Sequence, residues 1–531
     1  MKRPLLTAAI AAALLSAAVG AHAKPLVVCT EASPEGFDIV QYTAATTADA
    51  ASETLFNRLV DFTPGTTDTE PGLAERWEIS ADGTQYTFHL RQGVKFHSTD
   101  YFKPTRTLNA DDVVWSFQRQ LDPKHPWHAK ALMGFPYFES MGLQNLIARI
   151  DRLDDYTVRF TLNRAEAPFL RDMAMGFASI YSSEYADQLL KAGKTDEINS
   201  KPIGTGPFIL VRYAKDAQIR YKANPDYYKG KPPADPLIFA ITTDSNVRLQ
   251  KLRANECQVM VYPKPEDVAS IKADPNLHLD EMNALMTGYV AMNTEHKWLG
   301  DVRVRRAIQM AFDKQTFIKN IYGEGNATPG VNPYPSTLLG YNTAIVDTPY
   351  NPAKARELLK EAGVPEGTTL SIFVRNGGGA TVPNPTVAAQ LLQADLAKVG
   401  LKGDIRVFEW GELVKRAKLG EHDLLFYGWA GDNGDPDNFV TPNLSCDAAK
   451  SGENSARWCD KTFEALITQA RGETEPAARA ALYEQAQVVF HDQQPWLSLA
   501  HPKLFSATRK NVEGFHISPL TNNNFATTQV K

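Results

Sequence analysis

Apolar positions recur along the chain in two rhythms. Short runs at Leu26–Val28, Tyr86–Arg91, Thr157–Leu162, Leu237–Thr242, Tyr289–Met292, Leu370–Val374, Asp404–Phe408 and Leu424–Trp429 are rich in Val, Ile, Phe and Tyr or alternate apolar with polar. That pattern predicts strands. Helical stretches lie between them. Asn109 is placed to cap a helix over 111–120, with Asp112 three residues on in the capping-box position. Asn351 followed by Pro352 opens a second helix that Gly363 can end, and 386–399 forms a third before Gly400. Interleaved strands and helices indicate α/β organisation. No repeat of 20–50 residues is present, which argues against a solenoid. The Pro-rich patches at 231–236 and 328–335 read as ordered loops. No stretch looks like a single interdomain linker, which suits domains between which the chain crosses more than once.

At 531 residues the chain is long enough for more than one domain and for a core that needs no metal staple. Its 43% hydrophobic and 22% charged residues are ordinary for a globular protein and exclude a disordered chain, a fibre or a coiled coil. The net charge of −5 makes nucleic-acid binding a poor expectation, because that function leans on a positive surface. No basic tract is available for an anionic membrane.

Residues 1–23 read as a secretory signal peptide. Lys2 and Arg3 precede an Ala/Leu run, and Ala21-His22-Ala23 is a small-x-small cleavage site. The run is short of a spanning length, and no later segment reaches about 18 apolar residues. No cysteine follows the cleavage site, so a lipid anchor there is not expected. The four cysteines, Cys29, Cys257, Cys446 and Cys459, suit two disulfides in an exported protein, with three pairings possible. Cys446 and Cys459 are near enough to pair locally, which leaves Cys29 with Cys257. A zinc site is a poor fit, since no CxxC or nearby His pair accompanies them.

Searches for catalytic chemistry come back mostly negative. There is no GxSxG, HExxH or P-loop. His125 and His128 in HPWH could hold a metal, but Pro126 argues against helical spacing, and a solvated loop is the simpler reading. Gly377-Gly378-Gly379 follows a predicted strand without the spacing or lysine of a phosphate loop, so it reads as a flexible or close-approach loop. The acidic segment 431–438 does not fit a calcium loop. Its composition favours a turn-rich surface loop. Its place directly after the apolar run Leu424–Trp429 instead points to a ligand site, because α/β proteins put such sites at strand ends.

Eight segments carry a resemblance that runs through essentially the whole chain after the leader. They are SPEGF (33–37), LAERWEISADGTQYTFHLRQGVKFH (73–97), LNADDVVWSF (108–117), GTGPF (204–208), DVRVRRAI (301–308), YNPAKARELLKEAG (350–363), FEWGE (408–412) and GWAGDNGDPDNF (428–439). In number and order they resemble family 5 of the bacterial extracellular solute-binding proteins, the peptide receptors of ABC importers, and in particular its dipeptide-binding branch. The resemblance implies a two-lobed, hinged periplasmic binding protein fold of type II, in the large class with an extra subdomain. Lobe I would comprise 24–285, with an inserted subdomain at about 57–200. Lobe II would comprise 286–502, and 503–531 would return to lobe I, with crossings near 286–293 and 499–504.

The resemblance also implies roles. Asp432 matches the aspartate that neutralises a peptide's α-ammonium. Backbone groups of Gly428 and Ala430, and of a strand-like stretch at Ala44 and Thr46, match those that bond the peptide main chain. Trp410 and Trp429 match aromatics that line side-chain pockets. One position departs from the pattern: Gly379 stands where the dipeptide-binding branch carries a carboxylate-clamping arginine. Arg375, four residues earlier, is the candidate substitute, and a pocket without the clamp could admit a tripeptide. The expected function is capture of di- or tripeptides in the periplasm and delivery to a membrane permease, by a monomer without catalytic residues, metal or cofactor. A receptor for haem, a nickel complex or an oligosaccharide is the alternative, and a secreted hydrolase is a third.

Overall fold

The computed structural model describes residues 24–531; the leader reading of residues 1–23 lies outside them. Local signals set the elements. Asn109 caps Ala110–Leu121, accepting the Asp111 N–H at 3.0 Å, while the Asp112 carboxylate accepts the Asn109 N–H at 3.0 Å. Asn351 and Pro352 start Pro352–Glu361, and Gly363 follows with φ +71°. Asn384 and Pro385 start Pro385–Lys398, after which Gly400 turns with φ +86°.

The strands assemble into a main sheet. Edge to edge its path runs Lys402–Phe408, Thr369–Arg375, Leu424–Ala430, Met286–Met292, Trp496–Arg509, Val259–Val261, Leu26–Thr30, Leu237–Ile241, Gln218–Ala223 and Phe208–Ala214. A separate antiparallel sheet of four strands spans residues 74–162. It packs into the same apolar core as Leu26, Phe239 and Val259. A second body has its own cores, one around Val290, Ile372, Leu392 and Leu424, the other around Tyr289, Phe439, Tyr483 and Trp496. The mixed α/β molecule is therefore two-lobed.

The strand Trp496–Arg509 belongs to both bodies. Its first part, Trp496–Ala500, pairs with Met286–Met292. Its second part, Lys503–Arg509, pairs with Leu277–Asn283, and Ser506–Thr508 also pair with Val259–Val261. Leu277–Asn283 and Met286–Met292 are themselves joined by only Ala284 and Leu285. The two bodies thus share two adjacent chain segments at one place, which is where a hinge between them must act.

Both disulfides are formed. Cys29–Cys257 ties the strand Leu26–Thr30 to the turn before its neighbour Val259–Val261, and Cys446–Cys459 closes a local loop. Among the described residues no helix is long and apolar enough to cross a membrane.

Candidate functional site

The strand Leu424–Ala430 begins fully buried and ends in the space between the bodies. Along one side it pairs with Met286–Met292 over its full length. On the other side Thr369–Arg375 pairs with it only at Leu424 and Leu425. Among the described residues that second edge has no strand neighbour from Phe426 to Ala430, so Gly428 and Ala430 sit on an open edge. Such an edge can receive an extended chain through main-chain hydrogen bonds. Gly428 is needed for close approach: a Cβ there would stand 2.2 Å from Thr381 Oγ1.

The acidic loop that follows is not a surface loop. Nearly all of 431–438 is buried. Composition misleads because each polar group finds a specific partner. Asn433 Nδ2 donates to Asp172 Oδ1 at 2.7 Å, reaching the first body. Asp435 takes two bonds of 2.7 Å from the Arg479 guanidinium, and Thr441 Oγ1 donates to Asp437 at 2.6 Å. With these partners the loop can be buried at tolerable cost.

Asp432 is the exception, because none of its partners is a cation. Tyr137 Oη donates to Asp432 Oδ1 at 2.9 Å, and Asn438 Nδ2 donates to Oδ2 at 3.3 Å. The Asp432 N–H and Trp429 Nε1 both donate to Asn438 Oδ1, at 2.9 and 3.3 Å. Asn438 therefore fixes the loop and half-buried Trp429 together. Burial pushes the Asp432 carboxyl up to about 6, while the two hydrogen bonds act in the opposite direction. The carboxylate faces a cavity of about 160 Å³, also lined by Thr43, Ala44, Tyr137 and Met175.

Ala44 lies on that wall in extended conformation, but it ends no strand. It caps the short helix Ala45–Ala50, and its carbonyl accepts the Thr47 and Ala48 N–H groups at 3.0 Å. Thr46 sits inside that first turn and does not line the cavity. The expected strand-like stretch at Ala44 and Thr46 is thus corrected to a helix start. The run ATTADA lacks the β-branched alternation of a strand, and Ala is the best helix former.

At the far end, Arg375 finishes the strand Thr369–Arg375. Its guanidinium lies 4.9 Å from the centroid of the Trp410 ring, and Trp410 stacks on Tyr427 at 5.5 Å with an interplanar angle of 18°. Arg375 Nη1 lies 3.0 Å from where a Cβ of Gly379 would begin. The guanidinium thus occupies the space that a side chain at 379 would take. Among the described residues it has no acidic partner, and its Nε is buried without an acceptor. Gly378 also makes a close approach, since a Cβ there would meet the Pro383 carbonyl at 2.1 Å. Trp410 remains 47% exposed, so it is not a core residue.

Gly379 and Ala430 both line a larger cavity of about 490 Å³. This cavity and the smaller one share Ala45, Ala430 and Thr521, so they adjoin. Of the residues singled out from sequence, Asp432, Ala430, Ala44 and Gly379 line these cavities. Gly428, Trp429, Trp410, Arg375 and Thr46 do not line either of them. Tyr137 and Asn438 escaped sequence reasoning; Asn438 was visible within the acidic motif, whereas nothing local marks Tyr137.

Other clusters are structural. Ser371, Asp423 and His296 meet, but Ser371 Oγ bonds to Asp423 Oδ2 and not to the imidazole, whose two nitrogens face Asp423 and the Gly420 carbonyl. That is not the order a nucleophilic serine needs. In HPWH, Trp127 is buried and His128 Nδ1 faces the Arg119 carbonyl at 3.0 Å. Among the described residues no group of three metal-ligating side chains is assembled.

Comparison with known proteins places this geometry. The profile of bacterial extracellular solute-binding proteins, family 5 (middle), matches residues 68–451. The chain belongs to that family. It is 66% identical over 517 residues to di/tripeptide-binding protein 4 of Pseudomonas aeruginosa (strain UCBPP-PA14), covering 97% of each chain. Among solved structures, HbpA2 from Haemophilus parasuis superposes with a TM-score of 0.89 at 43% identity, covering 96% of this chain and 100% of the other. A dipeptide-binding protein from Pseudoalteromonas sp. SM9913 in complex with Met-Leu gives 0.84 at 35% identity, with the same coverage. The family 5 fold is the two-lobed α/β arrangement described above.

Proposed function

We propose that this family 5 receptor captures di- and tripeptides in the periplasm, encloses them between its lobes without chemical change, and presents them to the permease of an ABC importer. The observation that carries the proposal is Asp432: a partly buried carboxylate, with no cationic partner among the described residues, just past the end of an open strand edge between two bodies. A free α-ammonium supplies the missing charge through a charge-assisted hydrogen bond. Enclosure lowers the local dielectric and strengthens the pair. Haem and neutral oligosaccharides offer no ammonium to this acid.

In this reading Gly428 and Ala430 bond the peptide main chain, with Ala44 opposite, so affinity does not depend on sequence. Trp410 and Trp429 wall the side chains. Arg375, uncommitted and stacked on Trp410, receives the carboxylate of a dipeptide. Lobe I is 24–285 with its insert at about 57–200, lobe II is 286–502, and 503–531 returns to lobe I. The shared segments at 284–285 and 501–503 support these boundaries. Names of relatives and of a structural neighbour point to the same ligand class.

Mass spectrometry of whatever co-purifies with the protein tests the reading. Peptides of two and three residues with free amino termini are expected. A non-peptide cargo at stoichiometric occupancy overturns it.

A further inference from the structure

The two bodies also meet through a group of charged side chains that the anchoring scheme does not use. Arg471 stands at the end of the helix Lys461–Gly472, in the second body. Its Nε donates to Glu166 Oε1 of the first body, close to the core residues Leu162 and Phe169. The Arg471 carbonyl accepts the Ala167 N–H at 2.9 Å. The last carbonyls of a helix lack partners within it, and here the other body supplies one. None of Glu166, Ala167 and Arg471 lines the cavity around Asp432 or the larger one beside it.

This contact gathers acids. Glu166 and Asp172 come from the first body and Asp437 from the second, and all three are buried. Burial pushes each carboxyl upward, and the charge of Asp437 pushes Glu166 and Asp172 the same way. Arg471 is the cation the second body brings to them. Besides Glu166 it stands 3.6 Å from Asp437 Oδ2, and it draws both carboxyls back down. Burial works against its own charge, yet Asp437 and Glu166 together hold the guanidinium protonated. Arg479 is already committed to Asp435. Arg164 Nη2 lies 3.1 Å from Glu166 Oε2, but it is exposed and belongs to the same body as Glu166.

Without a cation from the second body, closing the lobes would press Asp437 toward Glu166 and Asp172 as like charges. With Arg471 the same approach makes a charge-assisted hydrogen bond in a water-poor setting. Opening separates Glu166 from Arg471 and returns both to water, where ionic groups gain little from each other. The pair therefore favours the closed arrangement over the open one.

We propose that Arg471 and Glu166 form a clasp between the lobes, in which Arg471 is a positioning residue that sets how long a captured ligand stays without touching it. The inference rests on the peptide-receptor reading and adds a kinetic rule to it. A ligand enters the open form, in which the pair is not made, and leaves only after the pair has broken. The clasp therefore acts on release and leaves association alone. Because neither residue lines the ligand cavities, it acts alike on every peptide.

Stopped-flow tryptophan fluorescence with Ala-Leu and Ala-Ala-Leu tests this on the wild type, Arg471→Gln, Glu166→Gln and the double variant. Each single substitution is expected to speed release roughly fivefold or more, by the same factor for both peptides, and to leave association within about twofold. Unchanged association also shows that the variants are folded. The double variant is expected to release no faster than the faster single variant, whereas independent residues would multiply their effects. Glu166→Gln keeps the shape of the side chain and carries the test alone if Arg471→Gln does not fold. Unchanged release, slowed association in place of faster release, or multiplied effects in the double variant overturn the clasp. A wild type that binds neither peptide overturns the peptide-receptor reading itself, and so distinguishes the two failures.

Discussion

Tyr137 and Asp432 stand 295 residues apart in sequence, on opposite bodies, and their side chains meet at 2.9 Å between the lobes. The Asp432 carboxylate is thus completed by a hydroxyl from across the cleft. Closure and charge placement are linked at this contact, since opening the lobes removes one of the carboxylate's donors. A ligand that binds the closed arrangement better shifts the protein toward it.

Tyr137→Phe removes that donor and keeps the ring. Hydrogen bonds to charged groups contribute about 1.5–3 kcal/mol, so peptide affinity is expected to fall roughly tenfold to a hundredfold. Calorimetry on one free-amine dipeptide reads the change. Unaltered affinity would show that the hydroxyl does not act on the bound carboxylate.

The raised Asp432 pKa gives two pH effects with defined signs. Its folded value of about 6 lies above the ordinary aspartate value of about 3.9, so the folded, empty protein prefers the protonated acid. The associated stability is complete below about pH 4 and is lost as pH rises through about 6. Asp432→Asn is therefore expected to stabilise the empty protein at pH 7.5, on the order of 1–2 kcal/mol allowing for partial solvent screening, and to change little at pH 3.5. Urea melts at the two pH values check this.

Binding has the opposite requirement, because the ammonium needs the ionised acid. A peptide α-amino group stays protonated well below its value of about 8, so the loss on acidification belongs to the carboxylate. Affinity is expected to fall about tenfold between pH 7.5 and pH 5, and Asp432→Asn is expected to abolish the dependence. A flat profile for the wild type would contradict the assignment.

Asp435 and Arg479 form a buried, bidentate pair behind the acidic loop, with both bonds at 2.7 Å. Asp435→Ala leaves the guanidinium buried without its counter-charge and is expected to cost about 3–5 kcal/mol of stability by denaturant titration. The change should act on folding first, because Asp435 supports the loop and does not face the cavity around Asp432.

What could be read from sequence was what depends on neighbours in sequence. Asn109 with Asp112, and Pro352 with Gly363, fix helix ends through contacts within a few residues. Leu424–Ala430 shows as a strand because its apolar run is continuous. Trp496–Arg509 did not show, although it joins the two bodies. It is buried on both faces, which erases alternation, and it carries His501, Pro502 and Lys503 in its middle. The site divides in the same way. Asp432 stands in a motif, but its hydrogen-bond donor from across the cleft is Tyr137, and the buried loop behind it is neutralised by Arg479. Neither is near it in sequence, so composition pointed to solvent.

The most direct test of the account is the thermodynamics of the anchor. Wild type and Asp432→Ala should be titrated with one dipeptide and with its N-acetylated form. The account predicts that the wild type binds the free amine and rejects the acetylated ligand, and that Asp432→Ala loses at least tenfold in affinity for the free amine, consistent with the cost of separating a buried charge pair. Equal binding of both ligands by the wild type, or an affinity unchanged by the substitution, would contradict it.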